Sequence, residues 1–214
     1  MRKKSANLTP IRKLSLFIIS LVAIYGGYYW GNQQIPINQG LQLIHLLQQP
    51  QKITPFELTG PANTPFTAAN LKGHWSLLFL GYTGEKSDSR DQLTLATHII
   101  NRLAVQPELQ RNTTVILVTV DPKRDNLKVL TPFVSHYSAD FIALTGEDKQ
   151  IRQLASQLGM SYLREGGENG AYSINHSSSM ALINPRGELV GLFTGRVDAR
   201  SIASDIQQLA DSYK

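Results

Sequence analysis

The sequence of 214 residues contains no cysteine. A chain without cysteine cannot form a disulfide, hold a metal through thiolates or use a thiol as a nucleophile. Thiol reductase and thiol peroxidase activities are therefore excluded, because no thiolate is available to carry the electrons. We expect a protein that is not an enzyme.

An excess of positive charge is also missing from most of the chain. The sequence has 21 Lys and Arg against 16 Asp and Glu, but five of the basic residues lie within the first 13 positions. No acidic residue precedes Pro50, so 16 basic residues balance 16 acidic residues from that point onward. A formally neutral domain lacks the basic face that binds nucleic acid, and we expect no nucleic-acid partner.

A charge-free run of 17 residues, LSLFIISLVAIYGGYYW, extends from Leu14 to Trp30. Its length lies at the short end of transmembrane helices, and its aromatic end is typical of a membrane–water interface. The basic residues before it place the N-terminus in the cytoplasm. Because no clear cleavage pattern follows, we expect an uncleaved single-pass anchor in the inner membrane, with the domain in the periplasm. Cleavage of the run as a secretory signal is the alternative.

This organisation predicts four segments. Residues 1–13 form a cytoplasmic basic segment, 14–30 the transmembrane signal anchor, 31–50 a juxtamembrane linker and 51–214 a globular domain. Within the linker, apolar residues between Leu41 and Leu47 predict a short helix that Pro50 would end.

The globular part alternates buried strands with amphipathic helices. Nearly continuous apolar residues predict strands over 74–81 and 114–120, and apolar residues at helical spacing predict helices over 91–103 and 147–158. A hairpin over 180–193 and a last helix with Asp198 as N-cap follow. This order predicts an α/β fold with a mixed central sheet flanked by helices.

Four segments of the sequence share their order and spacing with a known family. They read LLFLGYTGEKSDSRDQL, VTVDPKRD, FIALTGEDKQIRQLASQLG and NHSSSMALINPRGELVGLF. With the N-terminal anchor, they resemble the SCO/SenC family of membrane-anchored, thioredoxin-like proteins of cytochrome c oxidase assembly. The resemblance covers essentially the whole chain and implies a thioredoxin-like fold.

The resemblance also shows a departure from the family pattern. Family members bind copper through two cysteines of the loop after the first buried strand and through a later histidine. In this sequence Glu85 and Ser89 stand at the two cysteine positions, so the family ligand positions are vacated, and only His176 keeps a family ligand. The resemblance therefore implies the fold and the cellular setting, but not the copper chemistry.

The altered loop has two interpretations. Glu85 and His176 could be two ligands of a thiol-free Cu(II) or Zn(II) site, with Asp88 or Asp121 nearby as a third, because carboxylate and imidazole are harder ligands than the thiolates that suit Cu(I). Alternatively, residues 85–90 form a solvated turn in which Asp88 or Ser89 caps a helix that begins near Asp91. We favour the capping turn and expect no cofactor.

Two further residues near the predicted site are ambiguous. His176 is either an inherited ligand or a histidine at a strand end that bonds to the backbone or to a neighbour such as Asp121. Met180, on the next strand, is either a weak thioether ligand for Cu(I) or a core residue.

These expectations combine into two functional hypotheses. The first is a membrane-anchored accessory protein that binds a protein partner in respiratory oxidase assembly or periplasmic copper handling, without thiol redox activity and without tight Cu(I) binding. The second is a metal-binding protein that uses the thiol-free site around Glu85 and His176.

Overall fold

The computed structural model describes residues 18–27, 41, 43–84, 88–166, 172–195 and 197–213. The chain divides into two compact units, Met1–Gln39 and Gly40–Lys214. In the first unit residues 18–27 form a helix, α1. Within the described parts of the chain, no helix is long and apolar enough to cross a membrane. The predicted anchor over 14–30 extends beyond the described residues on both sides.

The second unit is built on a six-stranded mixed sheet with the strand order β1-β10-β9-β4-β5-β6. The neighbours β4, β5 and β6 are parallel, whereas β9 and β10 run antiparallel to their neighbours, and β1 is the edge strand beside β10. Two small hairpins, β2–β3 and β7–β8, lie outside this sheet. The strands are β1 (Ile44–Lys52), β2 (Glu57–Thr59), β3 (Pro65–Thr67), β4 (Trp75–Gly81), β5 (Thr113–Thr119), β6 (Ile142–Leu144), β7 (Tyr162–Gly166), β8 (Tyr172–His176), β9 (Met180–Ile183) and β10 (Glu188–Phe193).

Among the described residues of this unit, five α-helices accompany the strands, four of them between strands and the last after β10. Asp198 caps the last of them with a carboxylate that accepts hydrogen bonds from the backbone of Arg200 and Ser201, which confirms the predicted N-cap. Asn126 caps the helix that contains Pro132. The helices are α2 (Asp88–Arg102), α3 (Pro107–Arg111), α4 (Leu127–Ser135), α5 (Asp148–Gln157) and α6 (Ala199–Ser212).

The sheet separates two apolar cores. Alternate residues of β4 point to opposite faces, so Leu77 and Phe79 join one core and Leu78 and Leu80 join the other. The first core packs under α2, α4 and α6, and the second packs under α5, the β2–β3 hairpin and the β7–β8 hairpin. The mixed sheet flanked by helices, as predicted, is confirmed.

The segment around Leu41–Leu47 differs from the prediction. A helix is wrong there, because residues Ile44–Lys52 form β1 and pair with β10. The buried carboxylate of Asp205 on α6 accepts hydrogen bonds from the backbone N–H of Ile44 and of Leu43 at 2.9 and 2.8 Å. The apolar spacing is compatible with a helix, but pairing with β10 supplies the backbone bonds instead. Pro50 is tolerated because the pairing is irregular between Leu46 and Gln51 on an edge strand.

Candidate functional site

Polar residues follow the ends of two neighbouring parallel strands. Residues Tyr82–Gly84 come directly after β4, and Asp121–Asp125 follow β5 after the single residue Val120. Since parallel strands end at the same edge of a sheet, the two turns lie side by side, and the backbone N–H of Val120 donates to the carbonyl of Gly81 at 3.0 Å. Carboxyl ends of parallel strands are a common location of functional residues in α/β proteins.

Ser89 is buried rather than solvated. It lies in the first turn of α2, which begins at Asp88 and not near Asp91. Its hydroxyl accepts a hydrogen bond from the backbone N–H of Tyr82 at 2.9 Å. Gly81 makes this approach possible, because a Cβ at that position would lie 2.6 Å from the Ser89 hydroxyl oxygen. The prediction that Ser89 is solvated and caps the helix is therefore wrong, since its hydroxyl bonds back to the preceding loop. Asp88, the other predicted cap, is exposed, and residues 85–87 of the predicted turn lie outside the described residues.

Asp125 holds the turn after β4 from the neighbouring strand. Its buried carboxylate accepts hydrogen bonds from the backbone N–H of Thr83 at 2.9 Å and from the Thr83 hydroxyl at 2.5 Å. The hydroxyl of Thr119, at the end of β5, donates to the same carboxylate at 2.8 Å. Three neutral donors thus satisfy a fully buried carboxylate, which would otherwise be costly to bury.

Asp121 is the second fully buried carboxylate of this turn. The Arg124 guanidinium and the Tyr172 hydroxyl both donate to it, the latter at 2.8 Å. Burial alone would lower the pKa of Arg124, but the hydrogen bond and charge of Asp121 outweigh it and raise that pKa. Burial, followed by the hydrogen bond to Asp121, raises the pKa of Tyr172. Asp121 is thus engaged in ionic and hydrogen-bonded contacts.

The β7–β8 hairpin contributes its inward face to the site. Residues paired across two antiparallel strands share a face, and the pairs Tyr162–His176, Arg164–Ile174 and Gly166–Tyr172 form one such face. Tyr162 and Ile174 on that face are buried, whereas Leu163 between them is 61% exposed. The hairpin therefore directs Arg164, Tyr172 and His176 toward the domain.

His176, at the end of β8, lies half-buried beside Tyr82. The two rings meet edge to face with their centroids 6.1 Å apart, and Nδ1 of His176 is 3.1 Å from the backbone carbonyl of Ser177. A histidine at a strand end in contact with the backbone was one of the two predicted environments. Asp88 lies exposed at the start of α2. The other proposed ligand, Glu85, falls outside the described residues.

The donor set of the described residues does not fit a Cu(I) site. Among the parts of the chain that the structure describes, no group of three or more His, Cys, Asp or Glu is placed to hold a metal ion. The sequence supplies no thiolate, and Ser89 and Asp121 are engaged in the contacts given above. Met180 is buried in the core with Phe79 and Phe193, as a core residue would be.

Several residues of the site escaped prediction from the sequence. Tyr172 and Arg164 belong to none of the four family segments, and Asp125 is the last residue of VTVDPKRD, which gives no sign of its contact with Thr83. In the sequence, Tyr172 and Ile174 alternate with the polar Ser173 and Asn175, and this period of two would have placed Tyr172 on the face of Ile174. The contact between Asp121 and Tyr172 joins residues 51 positions apart, which no local pattern reveals.

Comparison with known proteins identifies the family. The sequence profile of the SCO1/SenC family matches residues 45–211. The chain belongs to the SCO1/SenC family. A Rickettsia prowazekii SCO2-like protein is 27% identical over 208 residues, which cover 94% of this chain and 96% of the relative. A Stutzerimonas stutzeri protein, whose name gives copper binding as a provisional assignment, is 30% identical over 167 residues, covering 78% of this chain and 81% of the relative.

Solved structures of family members share the fold. Apo Sco1 from Thermus thermophilus superposes with a TM-score of 0.69 at 25% identity, covering 78% of this chain and 95% of that one. Arabidopsis thaliana ScoI, solved with copper bound, gives a TM-score of 0.68 at 23% identity over 74% of this chain and 98% of that one. The predicted family and the thioredoxin-like α/β fold are both confirmed.

Proposed function

We propose that this SCO1/SenC-family protein is a membrane-anchored accessory factor in cytochrome c oxidase assembly or periplasmic copper handling, and that it acts by binding a protein partner. In this proposal it performs no thiol redox chemistry and does not bind Cu(I) tightly. The observation that carries the proposal is a family domain matched over residues 45–211 in a chain without cysteine. At one of the two altered positions, the Ser89 hydroxyl bonds to the backbone of Tyr82.

The relatives support the cellular process. BsSco is described as a member of the Sco family of cytochrome c oxidase assembly proteins, and the Arabidopsis and yeast proteins were solved with copper bound. Because thiolate and thioether ligands suit Cu(I), a family member without thiols is expected to serve the same process by protein contacts rather than by carrying the ion.

The N-terminal region supports the proposed location. Residues 18–27 are helical and lie inside the charge-free run of 17 residues, with large apolar side chains such as Ile18 and Tyr25 exposed. Five basic residues precede this run, and none follows it before Lys52. These features support an inner-membrane anchor with its N-terminus in the cytoplasm and the domain in the periplasm. Extraction of cell membranes with alkaline carbonate tests it, since release of the chain into the supernatant would contradict an anchor.

Deletion and capture test the function itself. We expect deletion in the source organism to lower cytochrome c oxidase activity or membrane copper content, and the full chain to restore it. A photo-crosslinking residue at Leu163, exposed on the outer face of the β7–β8 hairpin, should capture an oxidase subunit or a copper-handling protein. The same photo-crosslinking residue placed at Val105, which is exposed in the helical turn that follows α2, is the matched control. Unchanged oxidase activity and copper content after deletion would reject the proposal.

Metal titration of the full chain in detergent separates the two functional hypotheses. We expect Cu(I), measured against a competing chelator, to bind no more tightly than micromolar. The variant that carries Glu85→Cys and Ser89→Cys, which restores both family thiols to a chain that keeps His176, should bind Cu(I) at least about a hundred-fold more tightly. Ser89→Cys alone controls for the lost hydrogen bond to Tyr82. Tight Cu(II) or Zn(II) binding by the natural chain that His176→Ala abolishes would favour the thiol-free site around Glu85 and His176.

A further inference from the structure

A series of alternating charges joins the β7–β8 hairpin to the rest of the domain. Asp121 pairs with Arg124 and lies 4.0 Å from the guanidinium of Arg164. On its other side Arg164 lies 3.9 Å from Asp148, which in turn pairs with Arg152 at 2.8 Å. We call this set the charge ladder; its members, in order, are Arg124, Asp121, Arg164, Asp148 and Arg152.

The charge ladder connects three separate elements of the fold. Asp121 and Arg124 belong to the turn after β5, Arg164 to β7, and Asp148 and Arg152 to α5. The hairpin occupies the middle position, so its attachment depends on the carboxylates on both sides. Arg164 is the cation that lies near both Asp121, in the turn after β5, and Asp148, on α5.

Two tyrosines of the hairpin reinforce the charge ladder. The Tyr172 hydroxyl donates to Asp121 at 2.8 Å, and the Tyr162 hydroxyl donates to Asp148 at 2.9 Å. The guanidinium of Arg124 lies 3.9 Å from the centre of the Tyr172 ring, at a distance typical of a cation–π contact. Each hairpin strand therefore carries a tyrosine that bonds one of the two carboxylates.

The two ends of the charge ladder differ in strength. The Asp121 side chain is fully buried, whereas the side chains of Asp148 and Arg152 are 39% and 48% exposed. Solvent screens the exposed pair, which has the geometry of an ordinary surface pair one helical turn apart. Arg164 makes no direct hydrogen bond through its buried Nε and Nη2 atoms to any described group, so its attraction to both carboxylates is coulombic. Among the polar contacts that attach the hairpin, the hydrogen bond from Tyr172 to the buried Asp121 is therefore the strongest.

We propose that the charge ladder is a metal-independent clamp that keeps the β7–β8 hairpin, and with it His176, docked on the domain. In a chain without cysteine, no thiolate on the loop after β4 can share a metal with a histidine on the hairpin. The charge ladder supplies a connection made only of residues of this chain. A partner would then meet a preformed surface whether or not copper is present. This clamp holds independently of the partner's identity, so it is tested separately from the function proposed above.

Amide hydrogen exchange of the full chain tests the clamp. We expect Tyr172→Phe, which keeps the ring and removes only the bond to Asp121, to speed exchange of the β7 and β8 amides by about ten-fold. Asp121→Asn should speed the same amides by about ten- to a hundred-fold. Amides of β4 report on the sheet itself and should change much less. Arg186→Gln is the matched control, because Arg186 also contacts a carboxylate and a tyrosine ring, but on the exposed surface near Glu188 and Tyr213.

A chelator distinguishes this clamp from a metal crosslink. We expect EDTA or a Cu(I) chelator to leave exchange of the hairpin amides in the natural chain unchanged. The proposal is overturned if the chelator releases the hairpin as strongly as Asp121→Asn does, or if Tyr172→Phe leaves hairpin exchange at the natural rate. If Asp121→Asn does not fold, the Tyr172→Phe result decides alone.

Discussion

The two sides of the candidate site are held by two carboxylates of one turn, in different ways. Asp125 holds the loop after β4 through neutral donors, two of them on Thr83, at 2.5 to 2.9 Å. Asp121, four residues earlier, holds the β7–β8 hairpin through Arg124, Tyr172 and the more distant Arg164. Hydrogen bonds to neutral donors are short-ranged, whereas charges attract without direct contact. A buried carboxylate can therefore organise either a tight local turn or a wider set of elements, depending on its partners.

Ser89, which follows the loop after β4, stands at one of the two family ligand positions. The hydroxyl of Ser89 accepts a bond from the backbone of Tyr82, at the place where the resemblance puts a copper-binding thiol. On the side of the loop after β4, Ser89 and Asp125 thus accept hydrogen bonds from the backbone of that loop. The contacts between charged side chains lie on the side of the hairpin. Substitutions on each side test whether the two sides are independent.

Removal of the Asp125 carboxylate should have the largest effect on stability. Asp125→Ala leaves the donors on Thr83 and Thr119 without their acceptor in a buried place, so we expect the free energy of unfolding to fall by about 3–5 kcal/mol. Urea denaturation of the full chain measures it. Amide exchange should speed in the loop after β4 more than in the hairpin. A loss below about 1 kcal/mol, or equal loosening on both sides, would contradict the separation.

Gly81→Ala should have an intermediate effect confined to the loop side. The added methyl would lie 2.6 Å from the Ser89 hydroxyl oxygen, and such overpacking costs about 1–3 kcal/mol. Because Ser89→Ala removes that oxygen, the two substitutions together should cost less than the sum of their separate effects. Strict additivity in denaturation experiments would show that the close approach of Gly81 to Ser89 does not limit this turn.

The exposed end of the charge ladder should give the smallest effect. Burial alone would raise the pKa of Asp148, but hydrogen bonds from Arg152 and Tyr162 outweigh it and lower that pKa below its ordinary value of 3.8. The folded chain therefore binds this proton less readily than the unfolded chain. The stabilisation is complete above pH 3.8 and is lost as the pH falls through the lowered pKa.

Asp148→Asn should accordingly cost a few tenths of a kcal/mol at neutral pH, because the pair with Arg152 is largely solvated. The loss of stability caused by Asp148→Asn should shrink as the pH falls below 3.8, the ordinary pKa of the replaced carboxyl. Denaturation of both chains at several pH values measures this trend. Asp198→Asn is the comparison. Hydrogen bonds from Ser201 also lower the pKa of Asp198, but this residue caps α6 and is not a member of the charge ladder. A cost for Asp148→Asn that grows toward acid pH would contradict the assigned direction.

Prediction from the sequence succeeded where local pattern and tertiary contact agree. The strands predicted over 74–81 and 114–120 form over Trp75–Gly81 and Thr113–Thr119, and Asp198 caps α6 as predicted. It failed at Ile44–Lys52, where apolar spacing suggested a helix and pairing with β10 made a strand. It also failed at Ser89, because whether a hydroxyl faces solvent or the preceding backbone depends on the approach of Gly81.

The amino-acid sequence by itself determined the family through the resemblance of four ordered segments, the class of fold through strand and helix periodicities, and the exclusion of thiol chemistry through the lack of cysteine. All three are properties of the chain alone. Only the tertiary structure decided what occupies the site in place of that chemistry. Asp121 meets Tyr172 and Arg164 from strands far apart in the chain, and burial makes those contacts strong. Such pairings depend on which elements the sheet brings together, and no local pattern encodes them.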